Sequence, residues 1–471
     1  MNKQTKIVCT IGPSSQSYEM IKRLAKEGMN VARLNFSHGS HEEHGAKIKT
    51  IRKVMAENNM NIGIMLDTSG PEIRLGDFEK DKEEYQAGDI VTVCKEEILG
   101  THDRFTIRCK ELFDDIKPGN YILVNDGKER LTVLENNGEE MKCRVEVNGY
   151  LSSHKNCNVP GVKLTMPFIS KKDYDDIVFG CEMDVDYIAA SFTRRAEDVQ
   201  DIRKIITQMG KPKIQIIAKI ENEEGYENLD EILEAADGVM VARGDFGMEV
   251  ETAKVPFFQK KMIALANHYG KPVVTATQML DSMMVNPMCT RAEASDVYNA
   301  VLDGSDAVML SGETAGGNYP VEAVRTMSSI VMEAEKHVPY SERLEAAKRN
   351  AKKTIQDAIA ISISDATLQL DIAAIVAFTQ SGQNCHKLSE YRPDVPIYAV
   401  TFDHSVQSKL QLCWGVVPQY SKVRNDLSNE VELACSVAKS NGIKEGSLII
   451  ICAGYPQGVG STNTMKIVSV K

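Results

Sequence analysis

Eight short apolar runs rich in β-branched residues, each ending in polar or glycine residues and most separated by helix-like amphipathic segments, constrain this chain more than any other feature. They are Lys6 to Gly12, Met29 to Ser37, Asn61 to Thr68, Val185 to Phe192, Lys213 to Asn222, Gly238 to Asp245, Lys271 to Leu280 and Asp306 to Ala315. A strand that is apolar at successive positions must be covered on both faces, which a parallel sheet flanked by helices achieves. Eight such strands predict a closed (β/α)8 barrel, and in that architecture the chemistry sits at the C-terminal ends of the strands.

The stretch between the third and fourth runs is far too long for one crossover helix, so a domain is inserted there. Asp89 to Cys94, Arg104 to Arg108, Asn120 to Val124, Arg130 to Leu134 and Met141 to Val147 read as short strands, with turn signals at Gly119-Asn120, Asp126-Gly127 and Asn137-Gly138. Ser170 to Gly180 reads as the helix that brings the chain back. A charged helical stretch, Pro320 to Lys353, leads into a second α/β pattern with apolar runs at Ala373 to Phe378, Ile397 to Phe402, Gly415 to Tyr420, Ser447 to Ala453 and Met465 to Val470. The expected architecture is α/β throughout its larger parts: a catalytic barrel over 1–70 and 161–339, a small inserted β-barrel domain over 71–160, and a C-terminal α/β domain over 340–471.

At 471 residues and 42% apolar composition, the chain can bury several cores. With 66 acidic against 55 basic side chains and a formal charge of -11, nonspecific attachment to nucleic acid or an acidic membrane is disfavoured. An anionic ligand must therefore meet locally placed cations. No apolar stretch approaches the roughly 20 residues of a membrane helix, and Met1 to Gly12 does not read as a secretory signal, so the expected setting is the cytoplasm. Eleven cysteines without a CxxC pattern read as buried, reduced thiols, as at Cys9, Cys181 and Cys452.

Polar residues gather at the ends of the runs. Arg33, Asn35 and Ser37 alternate with Leu34 and Phe36, so a period of two sets the three on one side of a strand. The third run ends in Asp67-Thr68 and continues Ser69-Gly70-Pro71-Glu72-Ile73-Arg74, placing hard oxygen donors beside a second arginine; the plainer reading is a strand-end turn with a surface ion pair. Lys219 and Glu221 follow the apolar Ile214 to Ala218, and a buried lysine there is costly unless it faces charge; a simple barrel ion pair is the alternative. Arg243-Gly244-Asp245-Phe246-Gly247 adds a carboxylate and amides that can approach an anion closely. Glu221 and Asp245 suit Mg²⁺, which takes few carboxylates plus water and substrate oxygens. Thr275, Thr277, Gln278, Ser311 and Glu313 complete the set. There is no Ser-His-Asp arrangement, P-loop or Rossmann fingerprint. Two arginines, a lysine and a carboxylate pair point instead to phosphoryl transfer, which needs positioning and fixed charge more than covalent help. His38, His41 and His44 read as polar residues opening a helix rather than as a metal cluster, with His38 alone near enough to touch a nucleotide.

The stretches KIVCTIGPSS, NVARLNFSHG, LDTSGPEIRLG, NVPG, IAASF, AKIEN, VARGDFGMEV, TATQML, RAEASDVYNAVLDG, LSGETA and STNTMK occur in this order, and through them the chain resembles the pyruvate kinase family over essentially its whole length. The resemblance implies the same three-part fold, usually as a homotetramer. It also implies transfer of the phosphoryl group of phosphoenolpyruvate to ADP, giving pyruvate and ATP in the last step of glycolysis. By position, Arg33 would hold the phosphate of phosphoenolpyruvate and Lys219 would stabilise the phosphoryl group in flight. Glu221 and Asp245 would bind Mg²⁺, a second Mg²⁺ arriving with the nucleotide. Gly244, Asp245 and Thr277 would hold the substrate carboxylate, with Thr277 also near the proton path to the enolate carbon. Asn35, Ser37, Asp67 and Thr68 match the family's K⁺ ligands, and Glu72 is the residue type of K⁺-dependent members. Asn35, His38, Arg74 and Lys155 match nucleotide contacts, the last contributed by the inserted domain, which in the family closes as a lid and excludes water.

The same resemblance locates departures. Ser69 stands where many members have lysine, Asn125 replaces the first aspartate of a common Asp-Asp-Gly, and Phe246 replaces a usual leucine. Thr379, Ser381, Gly382, Gln383 and Asn384 lie in a segment that resembles a sugar-phosphate effector loop but lacks the lysine or arginine found there in some members. Fructose 1,6-bisphosphate would lose a strong ion pair there; a monophosphate sugar or AMP is an equal expectation. Ending soon after STNTMK, the chain is expected to lack the extra C-terminal domain of some bacterial members. Arg291 to Val301 resembles a subunit-contact segment. Two other readings compete: a Mg²⁺-dependent barrel lyase or aldolase acting on a pyruvate enolate, opposed by Arg74, Lys155 and the inserted domain, and a non-catalytic metabolite sensor, opposed by the intact Lys219, Glu221, Asp245 and Thr277.

Overall fold

The computed structural model describes residues 3–125, 127–455 and 462–471; Met1, Asp126 and Ser461, which figure in the motifs above, lie outside them. Eight parallel strands close into a barrel: β1 (Lys6–Thr10), β2 (Val31–Asn35), β3 (Gly63–Asp67), β4 (Tyr187–Ala190), β5 (Gln215–Ile220), β6 (Gly238–Ala242), β7 (Val273–Ala276) and β8 (Ala307–Leu310). Each pairs with its neighbours in chain order and β8 pairs with β1, so the sheet has no free edge. Each apolar run contains one of these strands.

Their continuous apolarity comes from two cores. Val8, Val31, Met65, Ile217, Met240 and Val274 fill the inside of the barrel, while Ile7, Cys9, Leu34, Leu66, Ile216 and Val239 face outward against helices. The covering helices are locally specified: Tyr18–Glu27 starts where Ser17 Oγ accepts the Met20 amide, buries Ile21 and Leu24, and stops at Gly28, whose φ of 126° a side chain would resist. No described helix is long and apolar enough to cross a membrane.

Between β3 and β4 the inserted module forms a sheet in the order Ile73–Arg74, Asn156–Asn158, Tyr121–Val124, Glu129–Asn136, Glu140–Val145, Ile90–Cys94, Arg104–Thr106. Its first and last strands meet through Gly76 N–H to Thr106 O and Arg108 N–H to Arg74 O, both 2.8 Å, which curls the sheet around its own core of Leu75, Phe105, Leu131 and Met141. Pieces of two or three residues, such as Ile73–Arg74, Glu83–Tyr85 and Gly149–Leu151, carry no alternation signal and escape a reading of the sequence.

The C-terminal part is a five-stranded sheet of β9 (Ile372–Thr379), β10 (Ile397–Thr401), β11 (Val416–Tyr420), β12 (Leu448–Gly454) and β13 (Thr462–Ser469), in the order β11-β10-β9-β12-β13. Only β12 and β13 run antiparallel. The charged helical stretch expected over Pro320 to Lys353 contains two helices, Pro320–Glu335 and Tyr340–Arg349. Pro339 separates them, because proline lacks the amide a helix interior needs and disfavours helical backbone in the residue before it. The turn Leu410–Leu412 seats Leu412 in the interior core of the barrel from below, and Tyr187 Oη donates to Lys409 O at 2.7 Å.

Candidate active site

The ends of β2, β3 and β5 bring two cations onto one carboxylate. Arg33 Nε lies 2.5 Å from Asp67 Oδ2, and its Nη1 donates to Thr10 Oγ1 at 2.9 Å. Lys219 Nζ lies 3.0 Å from Asp67 Oδ1 and 3.0 Å from Glu221 Oε1, and donates to Ser191 Oγ at 2.6 Å. Glu221 Oε2 in turn accepts the Phe192 amide at 2.6 Å. All of these charged groups are buried, so water screens little of their mutual attraction. Burial alone would push the Asp67 carboxyl up, but Arg33 and Lys219 outweigh it and hold it below the ordinary carboxylate range. Burial also opposes charge on Lys219; Asp67 and then Glu221 more than reverse it and hold the ammonium on. Lys219 is thereby a fixed positive charge rather than a proton shuttle.

Glu221 moves the opposite way from Asp67. Burial comes first, and the negative charges of Asp245 and Asp67 add to it against Lys219, pushing the carboxyl up to about 7. A buried carboxylate with a like-charged neighbour and too little positive charge is the environment a divalent cation completes, and the hard oxygen donors of Glu221 and Asp245 fit one.

Asp245 and Gly244 lie in the first turn of the helix Arg243–Glu249, which follows β6 directly. The Gly244 amide donates to Thr277 Oγ1 at 2.7 Å. Thr277 and Gln278 follow β7 with φ of 70° and 53°, a left-handed backbone that a β-branched threonine adopts only when its surroundings hold it. Arg243 does so: Nη2 donates to Thr277 O at 2.7 Å and Nη1 pairs with Asp296 Oδ2 at 2.7 Å.

The four expected K⁺ ligands lie at adjacent strand ends, since Asn35 and Asp67 are register partners across β2 and β3. The period-two argument for Ser37 is corrected, because β2 ends at Asn35 and Ser37 sits in the following turn, its amide on Asn35 Oδ1 at 3.1 Å. Thr68 Oγ1 accepts the Ser191 amide at 3.1 Å. Glu72 and Arg74 pair at 2.6 Å, and Arg74 Nη1 donates to His154 O. Lys155 begins the return path of the inserted module, its carbonyl accepting the Leu75 amide, and His38 is exposed. Glu72, Asn158, Asp245 and Glu249 line a cavity of ≈ 210 Å³ between the module and the barrel rim.

The histidines are accounted for separately: His44 stacks on Phe36, and His41 contacts Asp176 at 2.6 Å while stacking on Phe179. Among the described residues no group of three or more His, Cys, Asp or Glu side chains is placed to hold a metal. Two departures have physical explanations. Asn125 sits at φ 54°, where asparagine is tolerated, and Phe246 is fully buried edge-on to Phe258 with ring centroids 5.5 Å apart. Thr379, Ser381, Gly382, Gln383 and Asn384 are in the separate C-terminal sheet domain. Thr379 Oγ1 accepts the Gly382 amide and Asn384 Nδ2 donates to Phe378 O, both 2.8 Å, leaving Ser381 and Gln383 exposed.

Residue-by-residue reading of the sequence did not assign Ser191, Thr10 or Arg243. All three stand in quoted motifs at or just after strand ends, which is the signal that could have found them.

Comparison with known proteins gives a consistent outcome. The family described as "Pyruvate kinase, barrel domain" matches residues 2–324, and "Pyruvate kinase, alpha/beta domain" matches residues 357–468. The chain is 46% identical over 468 residues to the pyruvate kinase of Clostridium acetobutylicum, covering 99% of each. It is 48% identical over 471 residues to that of Geobacillus stearothermophilus, covering 99% of this chain and 80% of the relative.

Proposed function

This chain belongs to the pyruvate kinase family, and on that premise we propose how its own residues move a phosphoryl group from phosphoenolpyruvate to ADP, giving pyruvate and ATP. The observation that carries the reading is the buried Arg33, Asp67, Lys219, Glu221 constellation at the barrel mouth. Arg33 holds the phosphate of phosphoenolpyruvate, and Lys219, kept charged, faces the phosphoryl group in flight. The Gly244 and Asp245 amides, with Thr277, hold the substrate carboxylate. Glu221 and Asp245 would hold Mg²⁺, which when bound neutralises charge on the substrate and the transferring group. Asn35, Ser37, Asp67 and Thr68 would hold K⁺, with Glu72 marking that dependence. Asn35, His38, Arg74 and Lys155 face the nucleotide, and the module over 71–160 closes above it so that water does not intercept the transfer.

The barrel over 1–70 and 161–339 is the catalytic domain and 340–471 an effector-binding domain, its loop of Thr379, Ser381, Gly382, Gln383 and Asn384 taking a sugar phosphate or AMP. The protein works in the cytoplasm as a homotetramer, with Arg291 to Val301, in the helix Arg291–Asp303, at a subunit contact. The test is pyruvate formation from phosphoenolpyruvate and ADP with Mg²⁺, with and without K⁺, while sugar phosphates and AMP are titrated. Turnover that rises with K⁺ is expected. Absence of pyruvate under every condition would overturn the reading in favour of a lyase, and equal activity without K⁺ would remove the cation site.

Glu221 makes the metal requirement pH-dependent. A proton on it competes with Mg²⁺, so the half-saturating Mg²⁺ concentration should rise about tenfold for each pH unit below about 7. Glu221→Gln should abolish that slope together with tight metal binding; a flat profile in the unmodified enzyme would count against Glu221 as a ligand.

A further inference from the structure

One cluster beside this machinery has been given no role above: Lys172 and Asp173, in the first turn of the helix Lys171–Glu182 through which the chain returns from the inserted module. Asp173 is 2% exposed. Its Oδ1 accepts the amides of Ser69 at 3.0 Å and Gly70 at 3.1 Å, the two residues just before Pro71, where the chain leaves for the module. Its Oδ2 accepts the Ser170 hydroxyl at 2.6 Å, and Ser170 Oγ accepts the Asp173 amide at 3.0 Å. One carboxylate therefore ties the outgoing chain of the hinge to the returning chain.

Lys172, itself largely exposed, donates from Nζ to Phe36 O at 2.5 Å and to Ser69 Oγ at 3.0 Å, and pairs with Asp176 Oδ2 at 2.8 Å. Phe36 begins the turn that carries Ser37 and His38. The far side of that turn is held by His44 Nε2 on His38 O at 2.8 Å. The β2 turn, the exit from β3 and the helix after the module are thus fastened at one point.

We propose that Lys172 and Asp173 are positioning residues for the phosphoryl transfer. Asp173 pins the two chains of the lid hinge together, and Lys172 fixes the turn bearing Ser37 and His38 to that pin, so that the lid and the nucleotide-facing turn hold one relative geometry. This rests on the nucleotide and K⁺ reading given above. The two side chains act through the backbone of Phe36, Ser69 and Gly70, so losing Lys172 should weaken ADP and K⁺ while phosphoenolpyruvate, held by Arg33 and Lys219, is little affected.

The experiment uses the full chain with Lys172→Met, Lys172→Arg, Asp173→Ala and Asp173→Asn. ADP, K⁺ and phosphoenolpyruvate are varied separately, and amide hydrogen exchange is followed at Ser69 and Gly70. Lys172→Met is expected to raise KM for ADP and the half-activating K⁺ concentration about tenfold, as for one lost charge-assisted hydrogen bond, with KM for phosphoenolpyruvate within about twofold. Lys172→Arg keeps a donor and should recover most of the loss. Asp173→Ala should speed exchange at Ser69 and Gly70 about tenfold or more, whereas Asp173→Asn keeps the Oδ1 acceptor and the protection. Unchanged ADP and K⁺ constants in Lys172→Met, or an equal loss for all three ligands, would overturn the proposal, as would unchanged exchange in Asp173→Ala. If the unmodified enzyme ignores K⁺, the cation reading fails on its own and the ADP and exchange measurements decide the proposal.

Discussion

Lys219→Met is expected to lower kcat by about 10²- to 10³-fold or more, the loss seen when a preorganised charge facing the transition state is removed, with little change in KM for phosphoenolpyruvate. Methionine keeps the length and apolar stem of lysine and deletes only the charge. The ammonium is held by Asp67, Glu221 and Ser191 at 2.6 to 3.0 Å, so it needs no rearrangement when charge develops on the moving group. An interaction made more strongly in the transition state than in the ground state appears in kcat rather than KM. Removing it also leaves Glu221 without its neighbouring cation, which pushes that carboxyl further up, so divalent metal binding should persist when titrated well above pH 7. Single-turnover kinetics beside a metal titration would check both halves. Undiminished turnover would take Lys219 out of the mechanism, and loss of metal binding would mean that the substitution had disrupted the site as a whole.

Asp67→Ala should have the largest effect on stability. Asp67 is fully buried and is the shared counter-charge of Arg33 and Lys219. Its loss leaves two cations facing each other where water cannot replace it. Breaking a buried ion pair from one side typically costs about 3–5 kcal/mol, and here two pairs are broken together with the Ser191 hydrogen bond to Oδ1 at 3.0 Å. Denaturant unfolding followed by a barrel probe should show that loss, and turnover should fall below detection because Arg33 and Lys219 no longer hold their positions. Asp67→Asn keeps one acceptor oxygen and should fall between. A variant as stable as the parent would show that the carboxylate is not needed to hold the two cations in the barrel mouth.

Much of this site could be read from the sequence because it is built on strand ends. Lys219, Glu221 and Asp67 stand at the ends of apolar runs and Arg33 stands inside one, and a charge in either place has no inexpensive bland explanation. What could not be read was how those charges share partners. That Asp67 takes both Arg33 and Lys219 follows from the pairing of β3 with β2 and from β4 and β5 standing beside it, and no spacing along the chain contains it. The same holds for Arg243, which looks like a companion of Asp245 in its motif but whose side chain supports the backbone of Thr277 just past the next strand. Ser37 was misplaced by a period-two argument that ran past the end of the strand.

By itself the sequence determined the barrel, the inserted β module and the C-terminal sheet. Apolar periodicity and glycine or proline punctuation are local, and burial on both faces of a strand leaves a continuous apolar record. It also determined which charged residues must be accommodated at the barrel mouth, since burying them unpaired is prohibitive. The tertiary structure alone decided the partners. Closing eight strands brings residues far apart in the chain to within hydrogen-bond distance, as it does Lys219 and Asp67, and only there do burial and like charge set Glu221 against Lys219. It alone placed Asp173 beneath Ser69 and Gly70, because the return of the inserted module, not any pattern in its residues, brings those backbones together.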